Sequence, residues 1–367
     1  MHPIGLSRLD EKVFVASILR VSSHLFLILD VVMDIPLLQK ALLEPAIYPD
    51  QPKEVGFSET HISLLFFTGT YVYKVKKPVN FGFLDFTSLE KRRYFCEQEV
   101  RLNRRLAPEL YLGVVPITQE QGGVVLQGKG PVIDYAVKMK QISEERLMDK
   151  LLARHEVTPR MIEAVSGKLV QFYMAAETND VIKSYAKPAR VKQDTDENFD
   201  QTQKYINVTI PKAHYETIQD RTNGFLKTRG ELFSQRMASD KIRDCHGDLR
   251  LEHIFWGEPI AIFDCIEFNE RFRYTDVAAD MAFLVMDMDF HSREDLGEHL
   301  IRSYVGESGD HDILEVLNFY KCYRAYVRGK VESFRLNDPH MPQKEKEESK
   351  SRAAKYFDLS YRYSQKF

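Results

Sequence analysis

Two carboxylates, Asp248 and Asp264, are the side chains best suited to chemistry in this chain. Asp248 follows Gly247, which favours a turn, and Asp264 ends the second of two short apolar runs. Gly257-Glu258-Pro259 separates those runs and is a turn signal. Two short strands joined by that turn would bring both carboxylates to the same end of a hairpin. Converging carboxylates suit divalent-metal binding and proton abstraction.

Three motifs in this region resemble those of a known superfamily. The run H-G-D-L-R-L-E-H, the apolar run that ends on Asp264, and a later D-x-x-x-D follow one another. In that order they resemble the aminoglycoside phosphotransferase branch of the protein-kinase-like superfamily. More narrowly, the chain is similar to a bacterial group of aminoglycoside phosphotransferase-like proteins, some of which carry a C-terminal P-loop ATPase domain. The shared features extend from about Ala46 to near the C-terminus.

The resemblance implies a role for each motif residue. Asp248 matches the catalytic Asp that orients the substrate hydroxyl, and Asp264 matches the Asp that holds Mg²⁺ against the nucleotide phosphates. His253 stands where kinases usually place a metal-binding Asn. Because imidazole nitrogen suits transition metals better than Mg²⁺, Mn²⁺ is a second candidate metal.

The other motif residues are expected to support the site. His246 is expected to brace the loop that carries Asp248. Asp276 and Asp280 match the D-x-x-x-D that opens the next helix, and we expect Asp280 to hold the catalytic loop by hydrogen bonds.

The fold implied by the resemblance is α+β and bilobal, with a small antiparallel-sheet N-lobe and a mostly helical C-lobe. The predicted N-lobe covers residues 46–140. The predicted C-lobe covers residues 141–367 and contains the catalytic hairpin, residues 244–268. The length of 367 residues accommodates two such lobes.

Residues 71–76 alternate in character and predict a strand that ends before Pro78. Lys74 and Lys76 share one face of that strand. A buried lysine is costly unless it is paired, and kinase-like folds use such a lysine to hold nucleotide phosphates. We expect Lys74 to take this role, with Lys76 as the second candidate. The alternative is that both lysines reach solvent from a half-exposed strand.

Residues 88–105 predict a helix that carries the partner of this lysine. Glu99 lies on its apolar stripe together with Phe95, Leu102 and Leu106. A carboxylate on an apolar face needs a cation, so we expect Glu99 to pair with Lys74, as in the Lys–Glu pair of kinases. The alternative is an exposed Glu99 beside neighbouring arginines.

Two stretches have predicted roles at the rim of the site. Met139-Lys140-Gln141 follows a predicted strand where kinase-like folds have the hinge, so Met139 and Gln141 are expected beside the adenine. Residues 177–202 are polar and predict a mobile loop or a connection between helices.

A basic stripe lies further along the chain. Lys321, Arg324 and Arg328 follow one another at helical spacing beside three tyrosines. The stripe indicates either an anion-binding wall or, more commonly for such patterns, a solvated helix face.

Composition excludes several classes of function. The chain has 51 Lys and Arg residues against 54 Asp and Glu residues, a net charge of -3, which gives no electrostatic reason to expect nucleic-acid binding. The four cysteines form no C-x-x-C pair and no zinc spacing, which fits a reducing cytoplasm. No membrane association is expected.

The N-terminal extension, residues 1–45, precedes most of the resemblance. Residues 25–33 are apolar but far short of the roughly 20 residues that span a bilayer. A signal peptide is not predicted, because a cleavage site and a clear basic segment are missing. One hypothesis is that translation starts at Met33, so that residues 1–32 are not part of the native protein. The alternative is an additional helix packed on the core.

These features predict an ATP-dependent phosphotransferase that uses ATP and Mg²⁺, or Mn²⁺, to phosphorylate a small-molecule substrate. One alternative is a nucleotide-binding pseudokinase that senses or scaffolds without turnover. Another is a metal-dependent hydrolase built on His246, Asp248, His253 and Asp264. The sequence contains no P-loop motif, so an ATPase partner is expected to be a separate chain.

Overall fold

A computed structural model describes residues 35–339 and 341–367. The hypothesis on residues 1–32 therefore lies outside the described residues. One part of the molecule is a curled antiparallel sheet of six strands, and the other part is mostly helical. This is the α+β arrangement that the sequence predicts.

The sheet has the strand order β1-β2-β3-β6-β4-β5. Its strands are β1 (Gly56–Glu59), β2 (Ser63–Phe67), β3 (Tyr71–Lys76), β4 (Tyr111–Glu120), β5 (Gly123–Leu126) and β6 (Val132–Lys140). Two helices accompany it, α1 (Ile35–Leu42) and α2 (Leu89–Asn103). Helix α2 begins after Ser88, whose side chain accepts a hydrogen bond from the Lys91 amide, and packs on β4 and β6.

Strand β3 lies inside the sheet, between β2 and β6. Lys74 is in register with Leu65 on one side and Val137 on the other. Because both neighbours are paired strands, the side chains of β3 point to the two faces of the sheet and not to an edge. The strand therefore directs Lys74 and Lys76 together toward α2 and the helical part.

Among the described residues, the helical part contains eleven α-helices and four short strands. The helices are α3 (Met148–Ala153), α4 (Pro159–Ala175), α5 (Asp180–Ser184), α6 (Pro188–Thr202), α7 (Lys212–Thr228), α8 (Gly230–Ala238), α9 (Glu270–Arg273), α10 (Val277–Phe290), α11 (Glu294–Ser308), α12 (Ile313–Arg335) and α13 (Gln343–Ser364). The strands are β7 (Ile242–Asp244), β8 (Ile254–Phe255), β9 (Ala261–Ile262) and β10 (Tyr274–Asp276).

The helix α10 forms the centre of the helical part. Residues 277–289 of this helix are all buried. Its three acids are satisfied in the interior: Asp280 and Asp287 accept backbone N–H groups of the loop before the hairpin, and Asp289 pairs with Lys321. The helix is thus the internal support of that loop.

Residues 177–202 are not the loop that their polarity predicts. They form α5 and α6, and Pro188 occupies the first turn of α6, where its missing N–H is harmless. The buried stripe of α6 consists of Thr195, Asn198, Phe199 and Thr202. Three of these four residues are polar, so hydrophobic periodicity does not reveal the helix.

All four cysteines are buried and free. Within residues 35–339 and 341–367, no helix combines the length and the apolar character needed to cross a membrane.

Candidate active site

The predicted hairpin is present, and it brings Asp248 and Asp264 to one cavity. Strands β8 and β9 pair antiparallel, with Ile254 opposite Ile262. Both carboxylates line a cavity of about 2240 Å³ whose walls come from the sheet and from the helical part. His253 lies between them, 3.7 Å from an oxygen of each carboxylate.

Asp264 is oriented by its backbone and by Lys74. It adopts a left-handed conformation, with φ of 62°, and its N–H donates to the Tyr111 hydroxyl at 3.3 Å. Such a backbone in a non-glycine residue is uncommon and is typical of functional sites. The Asp264 side chain is 45% exposed, while the Lys74 side chain that donates to it at 2.8 Å is 13% exposed. The carboxylate is therefore the accessible member of this pair.

The predicted ion pair between Lys74 and Glu99 is present and belongs to a longer chain of charges. Lys74 Nζ lies 2.8 Å from Glu99 Oε1, and Lys76 Nζ donates to Glu99 Oε2 at 2.7 Å. Lys76 also forms a very short ion pair with Glu267. Acids and bases thus alternate in the order Asp264, Lys74, Glu99, Lys76, Glu267.

This chain of charges distinguishes the two lysines. Lys76 is fully buried and does not reach the cavity, whereas Lys74 lines it. The alternative of solvent-exposed lysines is wrong, because Glu99 and Glu267 compensate for burial. Burial would raise the pKa of Glu99, but the charges of Lys74 and Lys76 lower it below its usual value.

Asp248 is held by Arg250. Arg250 Nε and Nη2 donate to the two oxygens of Asp248 at 3.0 and 2.9 Å, a bidentate arrangement. Burial alone would raise the pKa of Asp248, but the charges of Arg250 and Arg328 and the hydrogen bonds from Arg250 hold it well below its usual value. Asp248 is therefore an ionised carboxylate near neutral pH.

His246 braces the loop, as expected from its position. Its Nε2 donates to the Phe263 carbonyl at 2.9 Å, and its Nδ1 accepts the Asp248 N–H at 3.3 Å. Burial lowers the pKa of His246 to about 4, so the ring is neutral near pH 7. Because both nitrogens are engaged, His246 does not act as a metal ligand, and the hydrolase alternative loses one of its four groups.

Asp280 forms the hydrogen bonds that its position predicts. Its two oxygens accept the N–H groups of His246 and Gly247, at 3.0 and 2.9 Å, and the Tyr173 hydroxyl at 3.0 Å. Gly247 is required here, because its φ is +89° and an added Cβ would lie 2.8 Å from the Phe272 carbonyl oxygen. This acid, on a buried helix, therefore fixes the turn before Asp248.

Asp276 supports the same helix from its N-terminus. It accepts the Ala278 N–H at 2.8 Å and forms a bidentate pair with Arg236. Arg236 also donates to Asp310. Asp276 lies away from the cavity lining, consistent with the structural role expected for it.

One nitrogen of His253, Nε2, is directed toward Asp264. It accepts a long hydrogen bond of 3.4 Å from Arg250 Nη2, which it would have to give up to bind a metal. The Nδ1 of His253 lies 2.8 Å from the Asp248 carbonyl oxygen, and because a carbonyl can only accept, this nitrogen carries the proton. Nε2 then faces Asp264 Oδ2 at 3.7 Å. Two ligand atoms that each lie about 2.1 Å from an ion are typically about 3 to 4 Å apart, so this pair fits a divalent ion.

The protein by itself offers few metal ligands. Within residues 35–339 and 341–367, no group of three or more His, Cys, Asp or Glu side chains is arranged to hold a metal ion. Mg²⁺ commonly binds through one or two carboxylates together with substrate phosphates. A site that is completed by a nucleotide is therefore compatible with these residues.

Met139 and Gln141 both line the cavity, at the junction between the sheet and the helical part. The Gln141 N–H donates to the Thr70 carbonyl at 2.9 Å, and its side-chain oxygen accepts the Gly69 N–H. The N–H of Gln141 is thus already used within the protein. A bound base would meet other groups of this segment.

Sequence reasoning missed Arg250 and Glu267. Arg250 lies inside the H-G-D-L-R motif, so its proximity to Asp248 was available as a local signal. Glu267 lies in the apolar stretch after Asp264, and a carboxylate in such a stretch indicates a buried cation partner. Its partner, Lys76, is 191 residues away in sequence.

The basic stripe of α12 is not a solvated face. Lys321 pairs with Asp289, Arg324 is buried, and both Arg324 and Arg328 line the cavity. The surroundings of this stripe therefore favour the anion-binding wall over the solvated helix face.

Two curated relatives are similar in sequence. The chain is 30% identical over 285 residues to uncharacterized proteins of Mycobacterium tuberculosis (strain ATCC 25618 / H37Rv) and Mycobacterium bovis (strain ATCC BAA-935 / AF2122/97). The match covers 77% of this chain and 55% of each relative. The chain thus spans about half the length of the curated relatives it matches. No protein-family model matches the chain.

Solved structures are similar in fold. An amicoumacin kinase in complex with AMP-PNP, Ca²⁺ and Ami has a TM-score of 0.50 at 13% identity, covering 88% of this chain and 92% of that chain. A choline/ethanolamine kinase family protein from Mesorhizobium loti has a TM-score of 0.49 at 13% identity, covering 90% and 100%. The likeness to the amicoumacin kinase structure, at a TM-score of 0.50, is a likeness of fold.

Proposed function

We propose that this protein is an ATP-dependent phosphotransferase that transfers the γ-phosphoryl group to a hydroxyl of a small molecule. The observation that carries the proposal is the convergence of Lys74, Asp264 and Asp248 on one cavity. Phosphoryl transfer needs a cation for the phosphates, a carboxylate for the metal and a carboxylate for the incoming hydroxyl. The similar amicoumacin kinase, which binds AMP-PNP and Ca²⁺, supports this assignment.

The nucleotide would be held from the sheet side. Lys74 is fixed by Glu99 and is therefore placed in advance for the phosphates, which reduces the reorganisation needed on binding. Met139 would pack beside the base. Asp264 and His253 are the groups placed to hold Mg²⁺ or Mn²⁺, which when bound would neutralise charge on the phosphates.

Asp248 would orient the acceptor hydroxyl. Its lowered pKa makes it a weak base, which suits a transition state in which bonding to the acceptor is loose and the proton leaves late. Arg250 keeps the carboxylate ionised and fixes the direction of its oxygens. The same guanidinium would be close enough to interact with the transferring phosphoryl group.

Turnover of ATP by wild type and Asp248→Asn tests the proposal. The asparagine keeps the size of the side chain and one oxygen but removes the charge. We expect ADP formation in the presence of an acceptor pool to fall by about 10² or more in the variant, within the range for loss of a positioned acid–base group. The thermal stabilisation by Mg²⁺ and ATP should remain.

The pseudokinase alternative predicts a different pattern. In that case ATP would stabilise both proteins, and neither would form ADP above background with any acceptor. Equal ADP formation above background by wild type and Asp248→Asn would contradict both functions as assigned to this site.

A further inference from the structure

The wall of the cavity formed by α12 carries several cations. Arg324, Arg328, Lys330 and Arg335 all line the cavity from this helix. Residues at spacings of four and seven lie on one side of a helix, which places Arg324, Arg328 and Arg335 together. This wall belongs to the helical side of the cavity.

Two of the carboxylates opposite these cations share one arginine. Asp194 and Glu197 of α6 both pair with Arg271. On α6, α9, α12 and the segments that follow α6 and α12, six cations and four carboxylates line the cavity. The cations are Lys204, Arg271, Arg324, Arg328, Lys330 and Arg335. The carboxylates are Asp194, Glu197, Asp200 and Asp338. The part of the cavity lined by these elements therefore has an excess of positive charge.

The four α12 cations that line the cavity lack strong carboxylate partners. Lys330 donates to the side-chain oxygens of Asn198 and Gln201, at 2.5 and 2.9 Å, and these groups are neutral. Among the residues that the structure describes, no carboxylate lies within 4.0 Å of Lys330 or Arg335. Arg328 reaches Glu332 only at 3.6 Å, and Glu332 also binds Arg352 at 3.0 Å.

Two of these guanidinium groups have an unsatisfied donor. The Nε atoms of Arg328 and Arg335 are buried and have no hydrogen-bond partner among the described residues. A buried donor without a partner is unfavourable, and more so when it belongs to a charged group. A ligand with anionic oxygens would satisfy these donors, and the planar fork of arginine matches carboxylate and phosphate geometry.

The cationic wall adjoins the proposed catalytic carboxylate. Arg324 donates to the Gly247 carbonyl at 3.3 Å, next to Asp248. The charge of Arg328 also contributes to the lowered pKa of Asp248, so its guanidinium lies within electrostatic range. A molecule whose hydroxyl contacts Asp248 would thus extend along α12.

We propose that the acceptor carries an anionic group, a carboxylate or a phosphate monoester, bound by Arg328 and Lys330. This inference rests on the proposed phosphotransferase function and specifies its substrate class. It disfavours a polycationic acceptor such as an aminoglycoside, because like charges would meet at this wall.

Four probes with the same three-carbon diol distinguish the charge classes. They are glycerol 3-phosphate, glycerate, glycerol and 3-aminopropane-1,2-diol. Each is titrated at constant ionic strength into protein saturated with Mg²⁺ and AMP-PNP, and the melting temperature is measured. The filled nucleotide site prevents the phosphate probe from binding there.

The expected result is stabilisation by one or both anions and none by glycerol or the amine. The anion that raises the melting temperature more shows whether the acceptor carries a phosphate or a carboxylate. Arg328→Met should weaken this effect by about tenfold or more, as expected for loss of a charged hydrogen bond. Arg352→Met is the matched control, because Arg352 binds the same Glu332 but does not line the cavity, and it should leave the effect unchanged.

Stabilisation by the amine or by glycerol equal to that by the anions would overturn the inference. So would an anion effect that persists in both Arg328→Met and Lys330→Met. If Mg²⁺ and AMP-PNP stabilise the protein and no anion adds to it, the inference fails while the phosphotransferase proposal stands. If Mg²⁺ and AMP-PNP give no stabilisation, it is the phosphotransferase proposal that fails.

Discussion

His253 directs its Nε2 toward Asp264, with 3.7 Å between that nitrogen and the carboxylate Oδ2. The proton on Nδ1, fixed by the Asp248 carbonyl, leaves Nε2 as an acceptor. A nitrogen ligand paired with a carboxylate favours Mn²⁺ over Mg²⁺ more than two oxygen ligands do.

His253→Asn should therefore change the preference for metal. For each metal, the measured quantity is the concentration that gives half-maximal stabilisation by ATP. Relative to wild type, we expect this concentration to fall for Mg²⁺ and to rise for Mn²⁺, so that their ratio shifts by about tenfold. Thermal-shift titration with each metal at fixed ATP measures this ratio. An unchanged ratio would mean that His253 does not contact the metal.

Lys76 should be among the residues most important for stability in the sheet. It is enclosed between Glu99 and Glu267, so Lys76→Met leaves the buried Glu267 without its counter-charge and Glu99 with Lys74 alone. We expect a loss of about 3–5 kcal/mol in the free energy of unfolding, measured with urea. In the double variant with Glu267→Gln, part of that loss should be recovered.

Lys77→Met is the control for Lys76. Lys77 pairs with Glu59, whose side chain is 55% exposed, and exposed pairs contribute about 0–1 kcal/mol. Equal destabilisation by the two substitutions would show that the buried chain of charges has no special energetic role.

Asp280→Asn should weaken the turn before Asp248. Asparagine has one side-chain oxygen that can accept a hydrogen bond, and its amide nitrogen cannot. One of the two N–H groups, of His246 or Gly247, therefore loses its acceptor. We expect about 1–3 kcal/mol of destabilisation and a lower kcat, with little change in the KM for ATP. Tyr173→Phe, which removes only a hydroxyl donor to Asp280, should cost about 1 kcal/mol and leave kcat nearly unchanged. If Asp280→Asn keeps wild-type kcat, this bracing is not needed for activity.

The sequence predicts the parts of the site that depend on local pattern. The turn signal at Gly257-Glu258-Pro259 places Asp248 and Asp264 at one end of a hairpin, and the stripe on α2 identifies Glu99 as the partner of Lys74. Both follow from the periodicity of strands and helices. The helix α6 is missed because its buried side is mostly polar.

The remaining parts depend on contacts between distant segments. Lys76 binds Glu99 as well, which the sequence does not indicate. Its burial beside Glu99 depends on Glu267, which lies 191 residues after Lys76 in the chain. The interpretation of the α12 stripe likewise depends on what faces it. The N–H of Gln141 is used by Thr70, a backbone contact that side-chain identity does not encode.

Binding of an anionic acceptor should weaken as the pH rises. Burial lowers the pKa of Lys330 to about 8, with Glu197 and Asp194 opposing this shift and Arg271 adding to it. Lys330 is charged below that pH and neutral above it, so the apparent affinity for an anionic acceptor falls as pH increases through about 8. Lys330→Arg should remove the dependence, because arginine stays protonated. A wild-type affinity that is constant from pH 7 to 9 would contradict this role.

Thermal-shift titration with ATP, at fixed Mg²⁺ and then Mn²⁺, is the most direct test of a nucleotide site at Asp264. A ligand that binds only the folded protein raises its melting temperature. We expect a metal-dependent rise in wild type and in the control Asp358→Ala, a surface substitution on α13, and its loss in Asp264→Ala. The absence of a rise with either metal, or an equal rise in Asp264→Ala, would contradict a nucleotide site at this cleft.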